Sequence, residues 1–198
     1  AKAFAHQYIL QHRSDPCWFY LDSDLHPVAS LMPAFAALEG HDLLITPHCL
    51  LPVTAPDAAV KERNLLDLGV FNGGFVGLRR GPSAVEFCQW FSRVLFDGCL
   101  DQWAGMFVDQ KWLNLVPCLY PSAKVWHHPG ANVAYWNLHE RPLDVRSGVL
   151  CVRDEPLLFL HFSGLQLDKP TGISIHNRTG LRAGAEWEGL AREYVAGL

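Results

Sequence analysis

Three observations predict an α/β fold for this sequence. Short apolar segments bounded by Pro or Gly, typical of buried strands, alternate along the chain with longer segments of helical apolar spacing. The chain has 198 residues, 49% of them hydrophobic, which is enough for one globular domain with a sizeable core. The aromatic run at residues 17–21 ends in Asp22 and Asp24, and ligands gather at the carboxyl ends of strands in open α/β sheets.

The first third of the chain predicts helices and strands in alternation. In order, they are a helix over residues 2–13, a strand over 17–21, a helix over 27–38, a strand over 42–46 and a helix over 57–67. Pro27 is expected to open the second of these helices, because proline suits the first helical position. Asp57 is expected to cap the third helix.

The rest of the chain continues the alternation. Residues 68–81 predict either a hairpin or a strand with a tight bend, because Asn-Gly-Gly lies between apolar pieces. A helix is predicted over 83–97, capped by Ser83, with Val85, Cys88, Phe91 and Leu95 on its apolar stripe. The remaining predicted segments are a helix over 105–117, strands near 124–127, 132–136 and 157–162, and a helix over 185–196.

Charge and cysteine usage exclude several classes of function. The net charge of −4 and pI near 6.2 leave no basic surface for nucleic acid. No apolar stretch approaches the roughly 20 residues of a membrane helix, and the first residues lack the pattern of a signal peptide. Six scattered cysteines without CxxC spacing argue against a structural zinc site and favour reduced thiols, so we expect a cytoplasmic protein.

Asp22 and Asp24 are the first candidate site residues. Side chains alternate along a strand, so two carboxylates two residues apart point the same way and repel each other. A divalent cation relieves this repulsion, and oxygen ligands suit Mn²⁺ or Mg²⁺. The alternative is a loop of solvated Asp residues in which Asp24 helps to cap the following helix.

His161 and Gly164 follow another apolar run, within `PLLFLHFSG` at residues 156–164. A neutral imidazole could complete a site with two Asp ligands, because Mn²⁺ accepts mixed nitrogen and oxygen ligands. Gly164 would let the backbone approach a phosphate closely. The alternative for His161 is a histidine packed in the core with its hydrogen bonds satisfied.

Asp109 and Gln110 interrupt an otherwise apolar segment, and Asp109 and Trp112 would share one face of the helix predicted there. A half-exposed helix with ordinary polar residues explains them equally well.

Two other segments combine asparagine with glycine or with an aromatic residue. Asn72, Gly73 and Gly74 could line a sugar or form a turn. Trp136 and Asn137 could stack on and hydrogen-bond a carbohydrate, or belong to an edge strand with a packed Trp.

Taken in order, these motifs resemble the nucleotide-sugar glycosyltransferases of the GT-A fold, most nearly family 8 and bacterial relatives associated with surface polysaccharide synthesis. The family pattern is YLDxD, FNxG, DQxxLN and HxxGxxKP. Here it stands as `FYLDSD` at 19–24, `FNGG` at 71–74, `DQKWLN` at 109–114 and `HFSG` followed by `KP` within 161–170. The resemblance covers roughly residues 1–170 and implies a Rossmann-like GT-A fold.

The resemblance also implies roles for individual residues. Asp22, Asp24 and His161 would bind Mn²⁺ or Mg²⁺, with Asp22 also near the nucleotide ribose. Asp109 and Gln110 would lie by the anomeric carbon and the acceptor as catalytic residues. The implied substrate-binding residues are Asn72, Gly73, Gly74, Trp136, Asn137, Gly164 and Lys169, the last reaching the β-phosphate.

This sequence departs from the family pattern in two ways. Four residues, `LQLD`, separate Gly164 from Lys169 where the family has two, and no Trp follows Pro170. In this fold the first βα units precede the DxD strand and hold the uridine, and no segment before residue 1 supplies them here. We therefore expect a single glycosyltransferase catalytic domain over residues 1–198 that lacks those units.

The implied activity is metal-dependent transfer of a sugar from a nucleotide-sugar donor, with a UDP-sugar favoured, to a glycan or lipid-linked acceptor. Family resemblance points to retention, and an inverting route with Asp109 as base stays open. So do two other classes: a catalytically inactive fragment that binds carbohydrate or nucleotide-sugar, and a metal-dependent phosphoryl or nucleotidyl enzyme. The sequence leaves peripheral membrane association and oligomeric state open.

Overall fold

A computed structural model describes residues 2–54, 58–98, 100–101, 106–170, 172–177 and 184–198. It is a mixed α/β structure with several sheets, as the sequence predicts, and the assignment to the GT-A fold stays a prediction. The chain forms two compact units. The first comprises Ala1–Asp22 and Met32–His127, and the second comprises Ser23–Leu31 and His128–Leu198. No helix in the described ranges is long and apolar enough to cross a membrane.

The first unit contains most of the helices, and its elements are numbered in chain order. Its strands are β1 (Cys17–Leu21), β3 (Leu43–Pro47), β4 (Phe71–Arg79), β5 (Leu100–Asp101), β6 (Met106–Phe107) and β7 (Ala123–Val125). Its helices are α1 (Lys2–His12), α2 (Met32–Leu38), α3 (Ala58–Leu68), α4 (Pro82–Gly98) and α5 (Val116–Leu119), with a 3₁₀ helix at Gln110–Leu115.

A four-stranded sheet in the order β1-β4-β3-β7 organises the first unit. Strand β4 is antiparallel to both β1 and β3, whereas β7 is parallel to β3. Strand β3 is buried at every position, which explains why its sequence begins with three consecutive apolar residues, Leu43 to Ile45, rather than alternating. A shift of register between Ile45 and Thr46 breaks its pairing with β4.

Helix α4 supplies a large part of the core of this unit. Its buried residues are Ala84, Phe87, Cys88, Phe91 and Val94. The predicted stripe was wrong at Val85, which is 39% exposed, because the buried face is turned by one residue toward Phe87. Ser83 lies inside the first turn of α4 rather than before it, and its hydroxyl donates to Asp42 Oδ2 at 2.7 Å.

The second unit contains short strands and one long helix. They are β2 (Leu25–Pro27), β8 (Val133–Ala134), β9 (Leu143–Arg146), β10 (Val149–Val152), β11 (Glu155–Pro156), β12 (Phe159–His161) and α6 (Ala185–Ala196). One sheet has the order β2-β12-β8 and another the order β11-β10-β9. Phe162 and Trp187, with ring centroids 5.1 Å apart, lie in the apolar core that α6 helps to close.

Several predicted elements are confirmed and others are wrong. The strand at 17–21 and the helix at 185–196 have the predicted bounds. Pro27 ends β2 instead of opening a helix. The Asn-Gly-Gly sequence lies near the start of the single strand β4, so the hairpin alternative is wrong, and the pairing of β4 with β3 is irregular between Asn72 and Val76. The predicted helix over 105–117 is a short strand, a turn and a 3₁₀ helix. The proposed Asp57 cap lies outside the described residues.

His6 is a buried polar residue in the core around α1. Its side chain is 1% exposed, and its Nδ1 accepts a hydrogen bond from the Trp18 indole N–H at 3.1 Å. Burial, and to a smaller extent the nearby charge of Lys2, lowers the pKa of His6 from 6.5 to about 4. The folded protein therefore holds His6 neutral in a pH range where the unfolded chain protonates it.

We expect acid to destabilise the protein through His6. Because its folded pKa is below the unfolded value, the stabilisation is present above about pH 6.5 and is lost as the pH falls toward 4. A shift of this size corresponds to about 3 kcal/mol. Urea unfolding between pH 7 and pH 4 should show a loss larger by that amount for the wild type than for His6→Gln. Parallel pH profiles for the two proteins would contradict this assignment.

Candidate functional site

Asp22 lies at the carboxyl end of β1, as the sequence predicts. Its backbone N–H donates to the Gly74 carbonyl at 2.9 Å, which extends the pairing of β1 with β4 by one residue. The Tyr20 hydroxyl donates to Asp22 Oδ1 at 2.8 Å. Two contacts from the sheet thus fix both the backbone and the carboxylate of Asp22.

Lys2 supplies the positive charge beside this carboxylate. Its Nζ is 3.0 Å from Asp22 Oδ2 and 2.9 Å from Asp109 Oδ2, and it also donates to the Gly73 carbonyl at 3.1 Å. Burial by itself lowers the pKa of Lys2, but Asp109 and Asp22 raise it, and the net pKa lies above its usual value. One ammonium of the first unit therefore contacts two carboxylates and offsets one of their two negative charges.

The sequence argument missed Lys2, although a signal was available. Helix α1 reads KAFAHQYILQH, in which Lys2 is the single residue of the Asp, Glu, Lys and Arg types. A lone ammonium in an otherwise uncharged helix needs either solvent or a partner. Its side chain is only 19% exposed, so the partners are the two carboxylates.

The predicted sugar-lining residues of β4 are engaged by the protein itself. Asn72 is 3% exposed, its Oδ1 accepts from the Gly74 N–H at 2.8 Å, and its amide nitrogen lies 3.3 Å from His48 Nε2. A Cβ on Gly73 would lie 2.5 Å from Asp109 Oδ2. Gly73 is thus required for Asp109 to approach β4, and Asn72 stabilises the strand locally.

Asp109 directly precedes the 3₁₀ helix that starts at Gln110. Two contacts hold this segment against the first sheet. Asn114 Oδ1 accepts a hydrogen bond from the Val70 N–H at 2.9 Å. Gly69, with φ of 111°, lies so close to the backbone of Gln110 that a Cβ on Gly69 would be 3.0 Å from the Gln110 carbonyl oxygen. Asp109 and Gln110 therefore owe their position to a loop anchored to β4 and not to the predicted α-helix.

In the second unit, the chain places Asp24 beside His161. The Phe162 N–H donates to the Asp24 carbonyl at 2.9 Å, and β2 pairs with β12 so that His161 lies opposite Leu25. Asp24 Oδ1 is 3.2 Å from His161 Nε2. The other ring nitrogen of His161 is 3.1 Å from Asn132 Oδ1. Two of the three predicted metal ligands are therefore neighbours within this unit.

Trp136 and Asn137 lie close to His161 but differ in accessibility. The Trp136 ring packs edge-on against the His161 ring, with centroids 5.1 Å apart, and is half-buried. Asn137 is fully buried. Its Oδ1 accepts from the Ala134 N–H at 2.8 Å and its Nδ2 donates to the Asn132 carbonyl at 3.0 Å. Asn137 thus supports the local backbone rather than facing solvent where a sugar could contact it.

Gly164 and Lys169 lie in the loop after β12. Gly164 has φ of 69°, and a Cβ there would lie 2.6 Å from His176 Cδ2 and 2.8 Å from Ser174 Oγ. This glycine therefore makes room for the chain's own segment at 174–176. Lys169 is exposed in a turn, where its N–H donates to the Gln166 carbonyl at 3.0 Å.

The Asp24–His161 pair within the second unit fits a hard divalent cation. Asp24 offers a carboxylate oxygen and His161 offers a ring nitrogen. Neighbouring ligands of an octahedral Mg²⁺ are about 3 Å apart, because each lies about 2.1 Å from the metal. The 3.2 Å between Asp24 Oδ1 and His161 Nε2 matches that spacing. Carboxylate with imidazole is also a ligand combination that Mn²⁺ accepts.

Comparison with known proteins gives distant relatives. The chain is similar to an uncharacterized protein of Bacillus subtilis (strain 168), YfnF, with 26% identity over 165 residues, which cover 81% of this chain and 54% of the relative. It is also similar to a second uncharacterized protein of that strain, YfnD, with 29% identity over 102 residues, covering 50% of this chain and 33% of the relative. The chain thus spans about half the length of YfnF and a third of that of YfnD. No family model matches the sequence.

The Lys2 bridge predicts a measurable coupling. Lys2→Met should destabilise the protein by about 2 kcal/mol, less than the roughly 3–5 kcal/mol typical of fully buried pairs, because the three side chains are partly exposed. Asp109→Asn in the same chain should recover part of this loss, since one of the two uncompensated carboxylates is then neutral. Urea unfolding of the wild type, both single variants and the double variant measures the coupling. Purely additive effects would contradict the bridge.

Proposed function

We propose that this protein is a metal-dependent glycosyltransferase that transfers a sugar from a nucleotide-sugar donor, preferably a UDP-sugar, to a glycan or lipid-linked acceptor. The observation that carries the proposal is the Asp24–His161 pair, in which Asp24 Oδ1 and His161 Nε2 are 3.2 Å apart. Asp24 follows by two positions Asp22, the first residue after β1. A carboxylate and an imidazole at that spacing suit a shared cation, and a nucleoside diphosphate is a ligand that such a cation recruits.

Mn²⁺ or Mg²⁺ is the proposed cofactor, with Asp24 and His161 as ligands and Asp22 as the third. Asp22 is included because it precedes Asp24 by two residues and offers a carboxylate oxygen. When bound, the cation would neutralise charge on the diphosphate leaving group. Asp22 would also lie near the ribose of the donor. These assignments rest on the ligand types, the spacing and the resemblance of the motifs to the glycosyltransferases.

Asp109 and Gln110 are the proposed catalytic residues. Lys2 holds the Asp109 carboxylate in place, and Gly73 leaves room for it beside β4. In the proposed reaction the bond between the anomeric carbon and the diphosphate oxygen breaks, and the diphosphate leaves with the electron pair. The acceptor oxygen then bonds to the anomeric carbon, and its proton passes to the departing diphosphate oxygen. Asp109 and Gln110 stabilise the positive charge that develops on the sugar ring, Gln110 as an electrostatic neighbour and not as a covalent nucleophile.

A second candidate is a module that binds carbohydrate or nucleotide-sugar without chemistry. The observation in its favour is that the Lys2 ammonium contacts both Asp22 and Asp109 and offsets one of their two negative charges, so part of the repulsion between these carboxylates is relieved without a metal. The two candidates differ in their dependence on divalent cations, which a binding experiment can measure directly.

We expect Mn²⁺ and UDP together to raise the melting temperature of the protein and EDTA to reverse the effect. Ligand at 100 times its Kd stabilises a protein by about 3 kcal/mol through mass action alone. Asp24→Asn should abolish the shift, because it removes a ligand charge. Asp97→Asn makes the same change at an exposed position of α4 and should leave the shift intact.

The outcomes of this titration separate the candidates. Binding of UDP or UDP-sugars that survives both EDTA and Asp24→Asn would favour the binding module. Absence of any response in the wild type, to Mn²⁺, UDP or UDP-sugars, would overturn the glycosyltransferase proposal.

Product stereochemistry tests the proposed retention. With a UDP-sugar donor and a glycoside acceptor, we expect proton NMR to show the donor's anomeric configuration in the product. Asp109→Asn should lower turnover by at least about tenfold, equivalent to about 1.4 kcal/mol in the barrier, whereas Asp97→Asn should not lower it. An inverted anomeric centre would replace retention with a single displacement in which Asp109 acts as the base.

A further inference from the structure

We propose that Val108 is a positioning residue whose strained backbone turns the chain between β6 and the 3₁₀ helix and thereby places the Asp109 carboxylate against Lys2. The consequence for turnover rests on the proposed function, whereas the strain and its effect on the contact between Lys2 and Asp109 do not. The motif at 109–114 begins one residue later and gives Val108 no role of its own.

Val108 adopts a backbone conformation that is unusual for its residue type. Its φ of 44° lies in the left-handed region, where a Cβ crowds the following carbonyl oxygen. The other described non-glycine residues with positive φ are Asn132, Ser147 and Arg153, so Val108 is the β-branched one among them. A branched Cβ makes this conformation a clear outlier. Such a strained backbone persists only where the surrounding structure imposes it.

The chain on both sides of Val108 imposes this conformation. On the amino-terminal side, β6 ends at Phe107 and is paired with β5 as an extended strand. On the carboxyl-terminal side, Asp109 is already helical, with φ of −80° and ψ of −31°. The backbone of Gln110 then packs against Gly69, where a Cβ would lie 3.0 Å from the Gln110 carbonyl oxygen. Because both flanks are held, the change of direction falls on Val108.

The conformation of Val108 determines where Asp109 lies. The Asp109 carboxylate is 2.9 Å from Lys2 Nζ and occupies the space beside Gly73, where a Cβ would be 2.5 Å from Oδ2. A relaxed Val108 with φ near −60° would be rotated by about 100° from the observed value. With β6 paired to β5, this rotation would carry Asp109 away from Lys2 and Gly73. The strain at Val108 is therefore coupled to the contact between Lys2 and Asp109.

Substitutions that accept a positive φ can be compared with one that cannot. Glycine and asparagine take this conformation readily, whereas proline is fixed near −65°. Val108→Gly should raise the melting temperature by about 2–4 °C, because relief of the strain outweighs the extra freedom of the unfolded chain. In Val108→Gly and Val108→Asn, the coupling free energy between Lys2→Met and Asp109→Asn, measured by urea unfolding, should equal that in the wild type. In Val108→Pro this coupling should be lost.

Ser147→Pro is the matched control, because Ser147 has φ of 51° in the exposed turn between β9 and β10. It forces the same change of φ in the second unit and should leave the coupling between Lys2 and Asp109 unchanged. In parallel, Val108→Pro should lower turnover at least about tenfold, as Asp109→Asn does. It should lower turnover little further in the Asp109→Asn protein, because both changes act through the same carboxylate.

A melting temperature that Val108→Gly lowers or leaves unchanged overturns the inference even if Val108→Pro does not fold. So does a coupling between Lys2 and Asp109 that survives in a folded Val108→Pro protein. The expected changes in melting temperature and coupling in a protein that transfers no sugar would uphold the role of Val108 and overturn the proposed function, so the two failures are distinguishable.

Discussion

Compensation of carboxylate charge is the constraint on which the candidate site depends. Two acidic side chains of the first unit, Asp22 and Asp109, are brought to one place from β1 and from the loop before the 3₁₀ helix, and Lys2 makes that possible. The ammonium is partly desolvated there, which is tolerable because it contacts both carboxylates and a backbone carbonyl. The contact joins α1 to the end of β1, to the Gly73 carbonyl of β4 and to the loop before the 3₁₀ helix.

The second unit handles its carboxylate differently. Asp24 faces the imidazole of His161, and the other nitrogen of that ring contacts the buried amide of Asn132. The negative charge of Asp24 is therefore offset only when a proton or a cation lies at the ring nitrogen nearest to it. An internal lysine gives a permanent charge, whereas a histidine and a carboxylate can leave a place for an exchangeable one. The first arrangement suits a permanent structural contact, and the second suits reversible binding of a cation.

The sequence predicts the segments whose signal is local and fails where distant contacts decide. Strand β1 and helix α6 have clear apolar patterns and clear boundaries, and both were predicted correctly. The hairpin signal at 72–74 was overridden because the segment pairs with both neighbouring strands, Gly74 with the Asp22 N–H after β1 and Asn72 with Thr46 of β3. Asp22, Asp24 and His161 stood out as polar residues at the ends of apolar runs. Lys2 did not, because its role depends on a partner 20 residues away in the sequence.

The missing side chain at Gly73 couples two positions that are far apart in the sequence. Even the smallest side chain there would overlap the carboxylate of Asp109, so a substitution at Gly73 forces that carboxylate to move, whereas Asp109 can be replaced by a residue of the same size or smaller without a clash. A redesign of this region, for instance to enlarge it for another substrate, would therefore change Asp109 before it changes Gly73. The space that β4 leaves at Gly73 thus fixes the order in which the two positions can be changed.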